Sequence, residues 1–160
     1  MTRHVKMDHS KRGRGDDGAA LVEFALVSVL LFTLVFGIIH FGYLLSFKQD
    51  MTRAAAEGAR AGAVAFPATS ALQDAKDATQ DAVQAAGKNC GGNYAGNDSD
   101  GDGMACTVTL TPCVTADGDC VTVLLSYDQE HKPVLGAAPF VNLILPDTLT
   151  SKSEARVNPS

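Results

Sequence analysis

Polar and apolar positions are sorted very unevenly along this chain. From Ala19 to Phe47 the sequence reads AALVEFALVSVLLFTLVFGIIHFGYLLSF, and from Phe24 to Phe47 it carries no formal charge, only Ser28, Thr33, His40 and Ser46 as polar positions. As a helix that uncharged run is about 36 Å long, enough to cross a hydrocarbon core of roughly 30 Å. It is too long for the apolar core of a signal peptide, and no small-residue cleavage site of that kind follows it. The next stretch, KQDMTRAAAEGARAGAVAF, is rich in helix formers up to Pro67, so one helix is expected from about Ala19 to Ala65. A second is expected over Thr69–Ala86, with Ala71, Ala75, Ala78, Ala82 and Ala85 on one face, Leu72 and Val83 along its edge, and Gly87 as terminator. Its small side chains suit close packing against the first helix or a neighbouring subunit.

The period then changes. Residues 88–103, KNCGGNYAGNDSDGDG, are loop chemistry. Alternation with period two follows in Cys106–Leu110 and again in Val121–Tyr127, with Asp117-Gly118 between them, which predicts two strands joined as a hairpin. A further apolar run, Phe140–Leu145, closed by Pro146, reads as a strand or a short helix, and a polar end follows. The expected class is α+β: a long amino-terminal transmembrane helix continuing outward, a second helix, then a small disulfide-bearing β-hairpin domain. The corresponding partition is a leader at 1–18, a transmembrane helix at 19–47, its extension at 48–66 and an exported domain at 67–160 with the acidic loop 88–103.

Charge adds a direction to this picture. The net charge is -5, yet residues 1–18 hold Arg3, Lys6, Lys11, Arg12 and Arg14, ahead of the apolar run. Basic flanks of this kind stay cytoplasmic, so the amino terminus is expected inside and everything after Phe47 outside. The acidic remainder would repel phosphates, which argues against a nucleic-acid partner. All four cysteines, Cys90, Cys106, Cys113 and Cys120, fall on the outer side, where an even number reads as two disulfides with three pairings open. The Asp117-Gly118 turn favours Cys113 with Cys120, leaving Cys90 with Cys106. Zinc is disfavoured, because the spacings contain no C-x2-C pair and His131 stands alone.

The sharpest chemical signal is Gly18-Ala-Ala-Leu-Val-Glu23-Phe24. Cleavage after Gly18 would make Ala19 the new terminus and Glu23 the fifth residue of the mature chain. An ion within a membrane is costly unless paired, and a carboxylate at that depth can neutralise the α-amine of a neighbouring subunit. The plainer reading of Glu23 is an acid at a helix start, favoured by the macrodipole. The spacing resembles the class III signal of prepilins. With the apolar helix and the closing Ala55-x-x-Gly58-Ala59-Arg60, about 45 residues resemble the TadE-like family of tight-adherence (Flp-type) pilus proteins. Val29 departs from the family pattern, which commonly has proline there, so no kink is expected at that point. The resemblance implies a minor pseudopilin in a bacterial cell membrane, needed to assemble the pilus rather than forming its bulk. Its implied partners are a prepilin peptidase, other pilins and pseudopilins, the assembly platform and membrane lipid. A bitopic binding module, anchored by the helix and recognising a ligand through the disulfide-bonded domain, is the alternative.

Other positions carry less. Gly58 and Gly62 form a G-x-x-x-G spacing that fits either close helix approach or flexibility. His40 reads as a polar residue facing a partner rather than a metal ligand. Asp98, Asp100 and Asp102 match the first half of a calcium loop, but the twelfth position is Thr109 and not the bidentate glutamate. An acidic turn is the preferred reading and calcium its rival; no cofactor is expected otherwise. No G-x-S-x-G, P-loop or H-E-x-x-H occurs, and an enzyme is not expected.

Overall fold

In the computed structural model residues 16–114, 117–134 and 146–158 are described. The apolar run Phe140–Leu145 lies outside them, as do residues 1–15 of the expected leader. The described chain comprises helix α1 (Asp16–Val64), a single 3-10 turn (Ala68–Ser70), helix α2 (Ala71–Ala85) and strands β1 (Met104–Pro112), β2 (Asp119–Asp128) and β3 (Thr148–Arg156). Two compact units divide between Ile39 and His40.

In the first unit α1 is helical from Asp16 onward and exposes its large apolar side chains, among them Leu21, Phe24, Leu30 and Phe36. The helix passes Val29 without interruption, and the Thr33 hydroxyl donates to the Val29 carbonyl at 2.8 Å. A surface made mostly of large apolar side chains is what lipid, rather than water, accommodates.

In the second unit α1 changes character. Leu44, Phe47, Met51, Ala54, Ala55 and Ala59 are buried, at the three- and four-residue spacing of one helix face. Pro67 ends the helical run, since it has no amide hydrogen and its ring clashes with the preceding turn. The Ser70 hydroxyl bonds the Asp74 carboxylate at 2.9 Å, in the first turn of α2, where negative charge suits the dipole. At the other end Lys88 N donates to Val83 O and Gly87 N to Gln84 O. These two bonds form a Schellman closure, with Gly87 at φ 74°.

The three strands are antiparallel in the order β1-β2-β3. Register places Met104, Tyr127 and Leu149 side by side, then Cys106, Leu125 and Ser151, then Val108, Val123 and Ser153. This face meets the helices, while Thr109, Thr111, Lys152 and Glu154 lie on exposed positions. The hairpin forms where alternation predicts it. The third strand is an addition: the sequence Thr148–Arg156 was expected only as a polar end, and it pairs along the whole of β2. Helix α2 also sits differently from the expected alanine face. Ala71, Ala75, Thr79 and Val83 are its buried residues, so Val83 is core rather than edge and Ala85 faces solvent. A row at every fourth residue is buried with Val83 at its end and Leu72 partly buried beside it, and the Thr79 hydroxyl meets its own need by donating to Ala75 O at 2.6 Å.

Candidate functional site

The helix start comes first. Gly18 and Ala19 lie in the opening turns of α1, and no atom approaches within 4 Å of the place a Cβ on Gly18 would occupy. The first four amides of a helix have no intrahelical partner, so this end opens at little cost. Glu23 and Phe24 follow on the exposed surface of the same helix. Ala19 and Glu23 stand four residues apart, hence on one helical face.

The closing motif sits in the second unit and divides in two. Ala55, Gly58 and Ala59 are buried, and Gly58 faces α2. A Cβ there would strike the Thr79 hydroxyl and stand 3.2 Å from the Ala75 carbonyl. Gly62 is as tightly enclosed: its Cβ would meet Val121 Cγ2 at 2.8 Å and the Ala71 carbonyl at 2.9 Å. The G-x-x-x-G spacing is therefore a helix contact, with α2 and the sheet pressed on the same stripe. Arg60 points outward and pairs its Nε with Glu57 at 3.3 Å, a surface contact of small weight.

Disulfides join Cys90 to Cys106 and Cys113 to Cys120. The first is core: both cysteines are essentially inaccessible, and it ties the segment after α2 to β1. The second closes the hairpin at its turn. In the acidic loop Asp98 accepts from Gly101 N at 2.8 Å and Gly103 N at 2.9 Å. Asp102 accepts from Asn89 N and Met104 N, both at 2.8 Å. Four carboxylate oxygens thus hold the loop's own backbone. Among the described residues no group of three His, Cys, Asp or Glu side chains converges in a way that would hold a metal ion.

Sequence reasoning missed a cluster around Tyr127. Its ring packs edge-on against Phe47 with centroids 4.8 Å apart. Its hydroxyl donates to Lys132 O at 2.7 Å and accepts from Lys88 Nζ at 3.0 Å, and Lys88 stands 4.6 Å from the ring centroid. The only advance signal was an aromatic on the inward phase of β2. Nearby loops carry two shifted acids. Burial, then the carboxylates of Asp77 and Asp81, raises the Tyr94 phenol above its usual value. The backbone amide of His131 is the main cause of a lowered Asp128 carboxyl, helped by the His131 ring at 2.8 Å. A groove of about 350 Å³ between α1 and α2 is lined by Asp50, Arg53, Ala54 and Glu57 on one side and by Ala82, Ala85 and Ala86 on the other. It contains no nucleophile with an adjacent base.

These features define a chain with a long apolar helix followed by an α+β domain. A family model described as TadE-like protein matches residues 18–60, from the glycine at the helix start to the arginine of the closing motif, so that segment is similar to the TadE-like family. No curated protein and no solved structure matches the chain. The family match and a helix long and apolar enough to cross a membrane together point to a membrane protein associated with Tad pili, and nothing in this match speaks for catalysis.

Proposed function

We propose that the protein is a minor pseudopilin, a structural subunit needed to assemble a tight-adherence pilus at a bacterial cell membrane. The observation that carries this reading is the match over residues 18–60 with Glu23 five residues after Gly18 on an unbroken, lipid-compatible helix. In this reading a prepilin peptidase cuts between Gly18 and Ala19 on the cytoplasmic side. The freed amine of one subunit then meets the Glu23 carboxylate of another as the helices bundle. Pairing offsets the cost of an ion at that depth, and it makes register between subunits depend on one residue. The domain from Lys48 onward lies on the far side, where its two disulfides form. Its partners are other pilins and pseudopilins and the assembly platform.

Amino-terminal sequencing of the membrane-extracted protein from its native host tests the processing step and should read from Ala19. Glu23→Ala should leave cleavage and insertion intact while abolishing recovery of pilin partners and piliation. An intact Met1 on the mature protein, or normal piliation by the Glu23 variant, would overturn the reading.

A further inference from the structure

Three contacts in the second unit fix the level of each sheet residue along α1. Val121 lies against Gly62, Ser151, paired with Leu125, donates its hydroxyl to Thr52 Oγ1 at 3.2 Å, and Tyr127 packs on Phe47. Strand β2 therefore runs antiparallel to the helix. From Gly62 down to Phe47 the helix descends about 22 Å, and from Val121 to Tyr127 the strand covers about 20 Å, so the two advance together. Carried one step further, the same correspondence sets Gln129 and the turn that follows it level with about Tyr43.

Counting from the other direction gives the same residue. Crossing the hydrocarbon core takes about 20 helical residues, and the uncharged run that opens at Phe24 spends that number on reaching Tyr43. Tyr43 is half exposed, and an amphipathic ring is the side chain favoured at the headgroup level. At the end of the run Leu44 and Phe47 are covered by protein, while Leu45 between them is exposed.

We infer that the domain rests directly on the membrane surface, with the turn Gln129–Lys132 seated in the headgroup layer of the leaflet where the helix emerges. This rests on the membrane-spanning reading of the helix and holds for either orientation. Exposed charges at this end are mixed: Lys132 and His131 stand beside Asp128 and Glu130. The partner surface this suits is a zwitterionic headgroup layer rather than a strongly anionic one. The hairpin turn near Val114 lies about 27 Å away along β1, clear of the lipid.

The protein contains no tryptophan, so single substitutions give clean depth probes. Full-length Phe36→Trp, His131→Trp, Lys132→Trp and Val114→Trp would be reconstituted in phosphatidylcholine vesicles, with and without lipid brominated midway along the acyl chains. Fluorescence should be lost strongly at 36, partly at 131 and 132, and not at 114. Quenching at 36 with none at 131 and 132 would overturn the seating while leaving the spanning helix intact. Equal quenching at 114 and 131 would overturn it too, because the domain would then lie flat. Absence of quenching at 36 would remove the spanning helix and this inference with it.

Discussion

Gly62→Ala separates two opposing effects of comparable size. In an exposed helix interior the change is favourable, by up to about 1 kcal/mol, because alanine loses less backbone freedom on folding. Here the new methyl would lie 2.9 Å from the Ala71 carbonyl and 2.8 Å from Val121 Cγ2. The carbonyl belongs to the start of α2 and moves only if that helix moves. Overpacking costs about 1–3 kcal/mol, and a fixed backbone carbonyl at 2.9 Å puts it in the upper part of that range, about 2–3 kcal/mol, so the net expectation is a loss of about 1–2 kcal/mol. Gly58→Ala should cost less. Its nearest obstacle is the Thr79 hydroxyl, which can rotate away at the expense of its bond to Ala75 O, about 1 kcal/mol. Gly42→Ala meets nothing within 4 Å and is the control for helix propensity. The assay is denaturant unfolding of the full chain in detergent, followed by circular dichroism with disulfides intact. Stability of Gly62→Ala equal to or above that of the parent would show that α1 and α2 do not approach this closely.

Three further outcomes follow from the same structure. Replacing Cys90 and Cys106 by alanine should cost about 3 kcal/mol and replacing Cys113 and Cys120 about 2.5 kcal/mol, as expected from loops of 16 and 7 residues separation; a larger loss from the hairpin pair in the unfolding midpoint would contradict the ordering. Because Tyr94 is raised in the folded state, its contribution is complete below the unfolded value of about 10 and is lost as pH climbs through the folded value. Between pH 9 and 12, roughly, wild type should therefore lose stability relative to Tyr94→Phe, and parallel curves would refute the linkage. Calcium should leave the thermal midpoint where a chelator leaves it, since Asp98 and Asp102 already bind loop amides; a rise on adding calcium would mean that the loop rearranges around the ion.

How much of this was legible beforehand depended on how each element is stabilised. The long helix was readable because its signal is the absence of charge over many residues. The end of α2 was readable because Gly87 is the residue that a left-handed closure requires. The hairpin was readable because Val108, Val121, Val123 and Leu125 fall on one phase, with threonine or serine on the other except at Leu124. Strand β3 was not: its inward positions are Leu149, Ser151, Ser153 and Ala155, mostly too small or polar to give a period, and it is held by pairing with β2. The orientation of α2 was obscured by alanines on several sides, so that only the larger Val83 and the self-satisfied Thr79 decide which row turns inward. At the candidate site, Gly18, Glu23 and the Ala55–Arg60 close were visible as spacing. The enclosure of Gly62 was not, because it depends on Val121, fifty-nine positions further along.

Strand β3 is the last secondary-structure element among the described residues, and the two residues after it tie back to far earlier ones: Val157 N donates to Asp119 O, and Asn158 N to Ala63 O. Until those residues have been synthesised and delivered to the domain's side of the membrane, β2 has an open edge and the face carrying Leu125 and Tyr127 lacks one flank. An exposed edge of that kind is a template for pairing with other chains. The nascent protein thus passes through an interval in which the helix is already in place and the sheet is incomplete. A nonsense codon before Thr148 would make that interval permanent, leaving a membrane-tethered hairpin exposed to aggregation and proteolysis.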